Sequence, residues 1–252
     1  MKKVIAEQFE SKTKSLDEII EFFDTRGEGF GQQDRNSLKL FDLDGKTINV
    51  KSFRVPNLVN QVAYRFLRKS KAQRSFEYAN KLLELGVGTP QPIAFYEFSS
   101  LFLFKKSYYI SQQLQPDLTY RELTTDLNYP NHEEILRAFT KFTFELHEKG
   151  INFLDHSPGN TLIKKEDKGY SFFLVDLNRM EFKTMSFEAR IHNFSRLTIH
   201  KSMVEIMSDE YAKCINEPYE KVFKLMWDVT QNFQKKYRAR RNLKKKLKFW
   251  KR

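Results

Sequence analysis

Apolar positions along the chain change their spacing several times, and each change marks an element. In "SLKLFDLDGKTINVKSFR" they alternate with polar ones on both sides of Asp42-Leu43-Asp44-Gly45, the period of a half-buried strand broken by an Asp-Gly hairpin cue. Two antiparallel strands are predicted here, with Lys51 on the second. The spacing then lengthens. Val62, Phe66, Phe76, Ala79, Leu82 and Leu83 recur at helical intervals before Gly86 and Pro90, which predicts one short and one longer helix. "PIAFYEF" and "LFLFKKSYYISQQL" are dense in β-branched and aromatic residues and read as a second strand pair. "QPDLTY" reads as a connector.

Beyond it, "HEEILRAFTKFTFELHEK" carries Ile135, Leu136, Phe139, Phe142 and Leu146 on one helical face, with two glutamates in its first turn and Gly150 as its stop. "LDHSPGN" follows, then a short strand "TLI", a turn from Lys164 to Gly169, an apolar strand "YSFFLVDL" and a helical pattern from about residue 187. Asp, Ser, Pro, Gly and Asn are residues that turns select, so "LDHSPGN" alone fits either a polar turn or a reactive loop.

A chain of 252 residues with 40% hydrophobic content, including 24 Phe, has the apolar surface to fold, and its length allows two lobes. Cys214 is the single cysteine, so no internal disulfide forms and a reducing compartment is expected. Lys2 and Lys3 are followed only by Val4-Ile5-Ala6 before Glu7, too short for a secretory core. No run approaches the roughly 20 apolar residues that span a bilayer. The net charge of +12 is concentrated at one end, because Lys235 to Arg252 hold eleven cations and no acidic residue. In this tail Leu243, Leu247 and Trp250 share a helical face, the pattern of an interfacial helix on anionic lipid. A merely solvated basic end is the plainer reading, and non-specific nucleic-acid binding is the least favoured one.

The order of the polar residues resolves the question that "LDHSPGN" leaves open. A helix leads to Asp155, Asn160 stands five positions on, and a hairpin then delivers Asp176. Phosphoryl transfer needs a carboxylate for the acceptor hydroxyl, oxygen ligands for magnesium and a strand lysine for the phosphates. "DHSPGN", "FLVDLNR" and "INVKSF" resemble the catalytic loop, metal-binding segment and lysine strand of the protein-kinase-like superfamily. More narrowly, "VKSF", "LRKSKAQRSFEYANKLLELGVGTPQPIAFYE", "LHEKGINFLDHSPGNTLI", "LVDLNR" and "NFSRL" resemble the lipopolysaccharide kinase family that phosphorylates Kdo or heptose. The likeness covers roughly residues 27–200.

The resemblance implies an α+β, two-lobed protein-kinase-like fold: a sheet-rich lobe over 1–113, a helical lobe over 114–234 and the basic tail over 235–252. It implies Asp155 as catalytic base, Asn160 and Asp176 as Mg²⁺ ligands, Lys51 as the phosphate-binding lysine and Glu77 as its helical partner, with Glu84 competing for that last role. Gly29 and Gly31, in the cluster Gly27–Gly31, stand at a distance before Lys51 that suits a loop over ATP phosphates, or equally a flexible connection. The implied enzyme takes ATP and Mg²⁺ and phosphorylates a core sugar on a Kdo-lipid A type acceptor. It would be cytoplasmic and peripheral on the inner membrane of a Gram-negative bacterium. Arg196 and Arg179 read as partners of a carboxylate or of an anionic substrate, and His147 and His156 as structural histidines.

Three departures from the superfamily pattern matter. Phe153 stands where kinases carry His, Leu177-Asn178 replaces Phe-Gly after Asp176, and no Ala-Pro-Glu follows. The last favours a small or lipid-linked acceptor over a peptide. A different small-molecule phosphotransferase and a non-catalytic pseudokinase are the alternatives.

Overall fold

A computed structural model describes residues 1–31 and 36–249, and its contacts divide the chain into two units. The first comprises Met1–Gln115 with Asp176–Asn178; the second comprises Pro116–Val175 and the chain from Arg179 onward. In the first unit β1 (Lys2–Ile5) leads through a 3-10 helix (Glu7–Lys12) to α1 (Thr13–Glu21). There follow β2 (Glu28–Gly29), β3 (Asn36–Leu43), β4 (Lys46–Phe53), α2 (Leu58–Phe66), α3 (Lys71–Glu84), β5 (Pro92–Ser99) and β6 (Phe104–Gln112). The strands form one antiparallel sheet of order β1-β5-β6-β4-β3-β2.

The Asp-Gly cue is realised as a two-residue hairpin. Leu43 pairs with Lys46, and Asp44 and Gly45 both have positive φ, at 54° and 77°, the mirror-image turn whose twist matches paired strands. Alternation then sorts the side chains. Ile48 and Val50 of β4 pack with Leu16 and Ile20 of α1 on one face of the sheet. Phe53 packs with Phe95 and with Ala72 and Phe76 of α3 on the other. The α3 helix starts where the Ser70 side chain accepts from Gln73 N at 3.1 Å. It stops at Gly86, whose φ of +67° few other residues adopt.

The shorter helix departs from its expected orientation. Val62 and Phe66 are 44% and 58% exposed, whereas Gln61 is buried and its Nε2 donates to Pro56 O at 2.9 Å. Tyr64 holds the helix to the sheet against the Phe104 ring, so its inward side is carried by polar and aromatic groups and its aliphatic stripe faces out.

Gly27 has a structural reason of its own. Its φ is +84°, and a Cβ there would lie 2.4 Å from the Phe41 ring. Gly27→Ala is therefore expected to lower stability by about 1–3 kcal/mol, through strain and ring displacement, read as a lower urea midpoint with unchanged cooperativity.

The second unit contains β7 (Leu118–Thr119), α4 (Tyr120–Thr125), α5 (His132–Glu148), β8 (Ile151–Phe153), β9 (Thr161–Lys165), β10 (Tyr170–Leu174), β11 (Met180–Phe182), α6 (Phe187–Asn193), α7 (Lys201–Ile215) and α8 (Tyr219–Phe249). Part of the expected connector "QPDLTY" is ordered structure. Leu118-Thr119 pairs with β9, and Thr119 with Glu122 closes a reciprocal cap on α4, a Thr-x-x-Glu signal present in the sequence. Ile135, Leu136 and Phe139 of α5 are buried with Met207 and Tyr211 of α7 and with Val222 and Met226 of α8. This is the helical core that the spacing of α5 predicts.

The class is thus mixed α and β, with an antiparallel sheet in the N-terminal region and helices toward the C-terminus. No helix among the described residues is long and apolar enough to cross a membrane. The basic tail continues α8, with Leu243 exposed. Trp250 and the side chain of Leu247, two of the three members of its expected apolar face, lie outside the described residues.

Candidate active site

In the first unit β4 presents Lys51 on the same sheet face as Phe53, two residues on, with its ammonium 5.4 Å from that ring. Lys51 Nζ donates to Asp176 Oδ1 at 2.6 Å, joining residues 125 positions apart. The lysine side chain is only 14% exposed. Asp176 follows the strand β10 and has φ of +60°, a left-handed conformation that costs a non-glycine residue energy and turns the chain sharply. Asn178 Nδ2 donates to the same Oδ1 at 2.8 Å. Asn178, which the sequence showed only as a departure from Phe-Gly, thus holds the carboxylate in place.

In the second unit the loop between β8 and β9 carries Asp155 and Asn160. Asn160 Nδ2 donates to Asp155 O at 2.8 Å, and Asn160 O accepts from Val175 N at 3.0 Å. The donor half of the Asn160 amide is thus committed to the loop, and its oxygen is the half that suits a hard cation. Asp155 Oδ1 accepts from Arg196 Nη1 at 2.8 Å and from Arg179 Nη1 at 3.3 Å. Arg196 also donates to Leu154 O at 3.0 Å and lies over the Phe233 ring of α8. Both arginines are therefore partners of a carboxylate, and that carboxylate is Asp155.

A buried polar cluster lies under the loop. Asn193, from the "NFSRL" segment, donates from Nδ2 to Asn152 Oδ1 and Phe153 O, each at 3.0 Å. Its Oδ1 lies 2.9 Å from His156 Nδ1 and 3.4 Å from His147 Nε2. The Tyr211 hydroxyl is 2.8 Å from His147 Nδ1. An amide oxygen can only accept, so His156 carries its proton on Nδ1. Burial pushes the His147 imidazole down to about 3 and that of His156 down to about 4, because neither charged ring could be solvated there. Both histidines are structural, as the sequence suggests. The central role of Asn193 was not legible, since no local pattern links it to residues some forty positions earlier.

Glu77 lies on α3, where its carboxylate accepts from Lys69 Nζ and Gln73 Nε2, each at 2.8 Å; the Lys51 ammonium is engaged by Asp176 instead. Gly29 pairs with Lys39 across β2 and β3. Gly31 has φ of +65°, next to residues 32–35, which lie outside the described chain. The oxygen donors and lysine match the chemistry of a magnesium nucleotide: Asp176 and Asn160 offer hard ligands, and Lys51 offers a point charge for phosphate.

Residues 15–217 match the model of the lipopolysaccharide kinase (Kdo/WaaP) family. A search of curated proteins finds no match. Among solved structures the chain is similar to WaaP in complex with acyl carrier protein, at 16% identity and a TM-score of 0.64, over 93% of this chain and 99% of that one. A weaker likeness, with a TM-score of 0.44 at 12% identity, is to the PknI kinase domain of Mycobacterium tuberculosis, over 73% of this chain and 71% of that one.

Proposed function

Because the chain belongs to the lipopolysaccharide kinase (Kdo/WaaP) family, we propose that it transfers the γ-phosphoryl group of ATP to a hydroxyl of Kdo or heptose on a lipid A precursor. The observation that carries this reading is the 2.6 Å pair of Lys51 and Asp176 across 125 residues of sequence. An ammonium and a hard oxygen donor are brought together there, as a metal-bound phosphate requires.

Asp155 takes the acceptor hydroxyl's proton at a carboxylate oxygen. Arg196 and Arg179, both bonded to Oδ1, hold that carboxylate in one orientation. Asn160 and Asp176 would hold Mg²⁺, and Lys51 would pair with phosphate oxygens once released from Asp176. Bound Mg²⁺ would supply the positive charge that offsets the negative charge developing during transfer. Glu77, bound to Lys69 and Gln73, would exchange those contacts to orient the Lys51 ammonium. The glycines at 29 and 31 are proposed to line the phosphates. Through its basic tail the protein would rest on the anionic face of the inner membrane, within the cytoplasm.

The test is transfer by the purified protein, with ATP and Mg²⁺, to acceptors bearing Kdo alone or Kdo with heptose. A product heavier by one phosphate identifies the sugar, and absence of transfer to either overturns the reading. Asp176→Ala is expected to reduce transfer by about 10³-fold. Lys51→Ala should weaken nucleotide binding as well as turnover, read by fluorescent nucleotide titration.

A further inference from the structure

We infer that α2 and the β5–β6 hairpin tip form a docking surface for an anionic lipid bilayer, separate from the basic tail. Leu58, Val59, Val62 and Phe66 stand at i, i+1, i+4 and i+8 on α2 and so share one helical face. That face points to solvent, with Leu58 66% and Val59 79% exposed. Leu67, just past the helix, is 80% exposed, and the hairpin tip adds Leu101 and Phe102 at 72% and 67%. Arg65 Nε donates to Leu101 O at 3.4 Å, which ties the helix to the tip, so the two sets of aliphatic side chains belong to one surface. Apolar groups gathered in this way, rather than scattered singly, mark an interaction site.

Charge selects the partner. From Arg54 to Arg74 the chain holds Arg54, Arg65, Arg68, Lys69, Lys71 and Arg74 and no acidic residue. Beside the helix a groove of about 570 Å³ is lined by Arg65, Arg68 and Lys69 together with Lys2 and Glu97. Among the described residues Arg65 and Arg68 make no ion pair, while Lys69 is paired with Glu77. An aliphatic stripe beside cations, of which Arg65 and Arg68 have no carboxylate partner among the described residues, fits a surface with an apolar interior and anionic headgroups. It fits an acidic protein less well, because Leu and Val are under-represented among the residues that dominate protein interfaces. The inward placement of Gln61 has the same consequence: α2 gives its apolar residues to the outside at the cost of core burial.

The full-length protein is tested by sedimentation with phosphatidylcholine vesicles, with and without phosphatidylglycerol, and by site-specific fluorescence. Wild type is expected to bind the anionic vesicles, and Val59→Asp combined with Phe66→Ser to weaken that binding by about tenfold or more. Leu101→Ser with Phe102→Ser should act in the same direction. All four positions are exposed, and an unchanged thermal unfolding curve shows that the variants are folded. Phe66→Trp, measured as a difference from wild type, should shift its emission to the blue on adding anionic vesicles and not on adding phosphatidylcholine vesicles alone. This readout is independent of kinase activity and of the tail. Unaltered vesicle binding by both double variants, or no shift at Phe66→Trp, overturns the inference.

Discussion

Asp155→Ala is expected to lower phosphoryl transfer by about 10³-fold or more while nucleotide still binds, because proton acceptance from the hydroxyl is lost and the phosphate contacts remain. Asp155 is the shared partner of Arg179 and Arg196, and Arg196 also holds Leu154 O. Removing the carboxylate leaves two cations facing each other, which can move the loop as well as remove the base. Asp155→Asn separates the two effects. It keeps an oxygen for the arginines but cannot take a proton, so it should lose as much turnover as alanine while unfolding like wild type. Arg196→Ala should cost less, about 10- to 100-fold, since the carboxylate stays and only its orientation suffers. Turnover of Asp155→Asn within about threefold of wild type would remove Asp155 from the chemistry.

Acid should destabilise the second unit through its two buried histidines. His147 and His156 are held neutral at about 3 and about 4 in the folded protein, against 6.5 when unperturbed. Below about pH 6.5 the unfolded chain therefore binds protons that the folded chain refuses, and stability falls as the pH drops toward the folded values. It is fully present above that range. At pH 5 the two rings together cost on the order of 4 kcal/mol, a large share of the roughly 5–15 kcal/mol that holds a typical domain. Glu181 and Asp209, held below the usual carboxylate range by Lys183 and by Lys213 with Arg137, weaken folding only at more acid pH. Urea midpoints at about pH 7.5 and 5 measure the effect. Replacing both histidines by glutamine should flatten the difference even where it lowers stability overall. Identical midpoints at the two pH values would show that the rings are not held neutral.

Much of the fold was legible where one local rule decided the outcome. The Asp44-Gly45 turn needs only two residues tolerant of positive φ, and the α5 face needs only its own spacing. The α4 cap is equally local, carried by Thr119 and Glu122, although the polar stretch around it reads as a linker. The orientation of α2 is the opposite case. Its spacing is helical, but which side of a helix meets the sheet depends on what the sheet offers, and here Phe104 takes Tyr64 while Pro56 takes Gln61.

The candidate site divides in the same way. Residue order alone specifies the kinds of groups present: a strand lysine, a loop with Asp155 and Asn160, a carboxylate after a hairpin, and a basic end. Chemistry and short-range spacing suffice for that much. Which groups meet is settled by the packing of the folded chain. It gave Lys51 to Asp176, Glu77 to Lys69 and Gln73, Arg179 and Arg196 to Asp155, and two histidines to Asn193. Each of those pairings is an electrostatic or hydrogen-bonding choice among several chemically equivalent candidates. Such a choice is made by distance and burial, and the linear order of residues specifies neither.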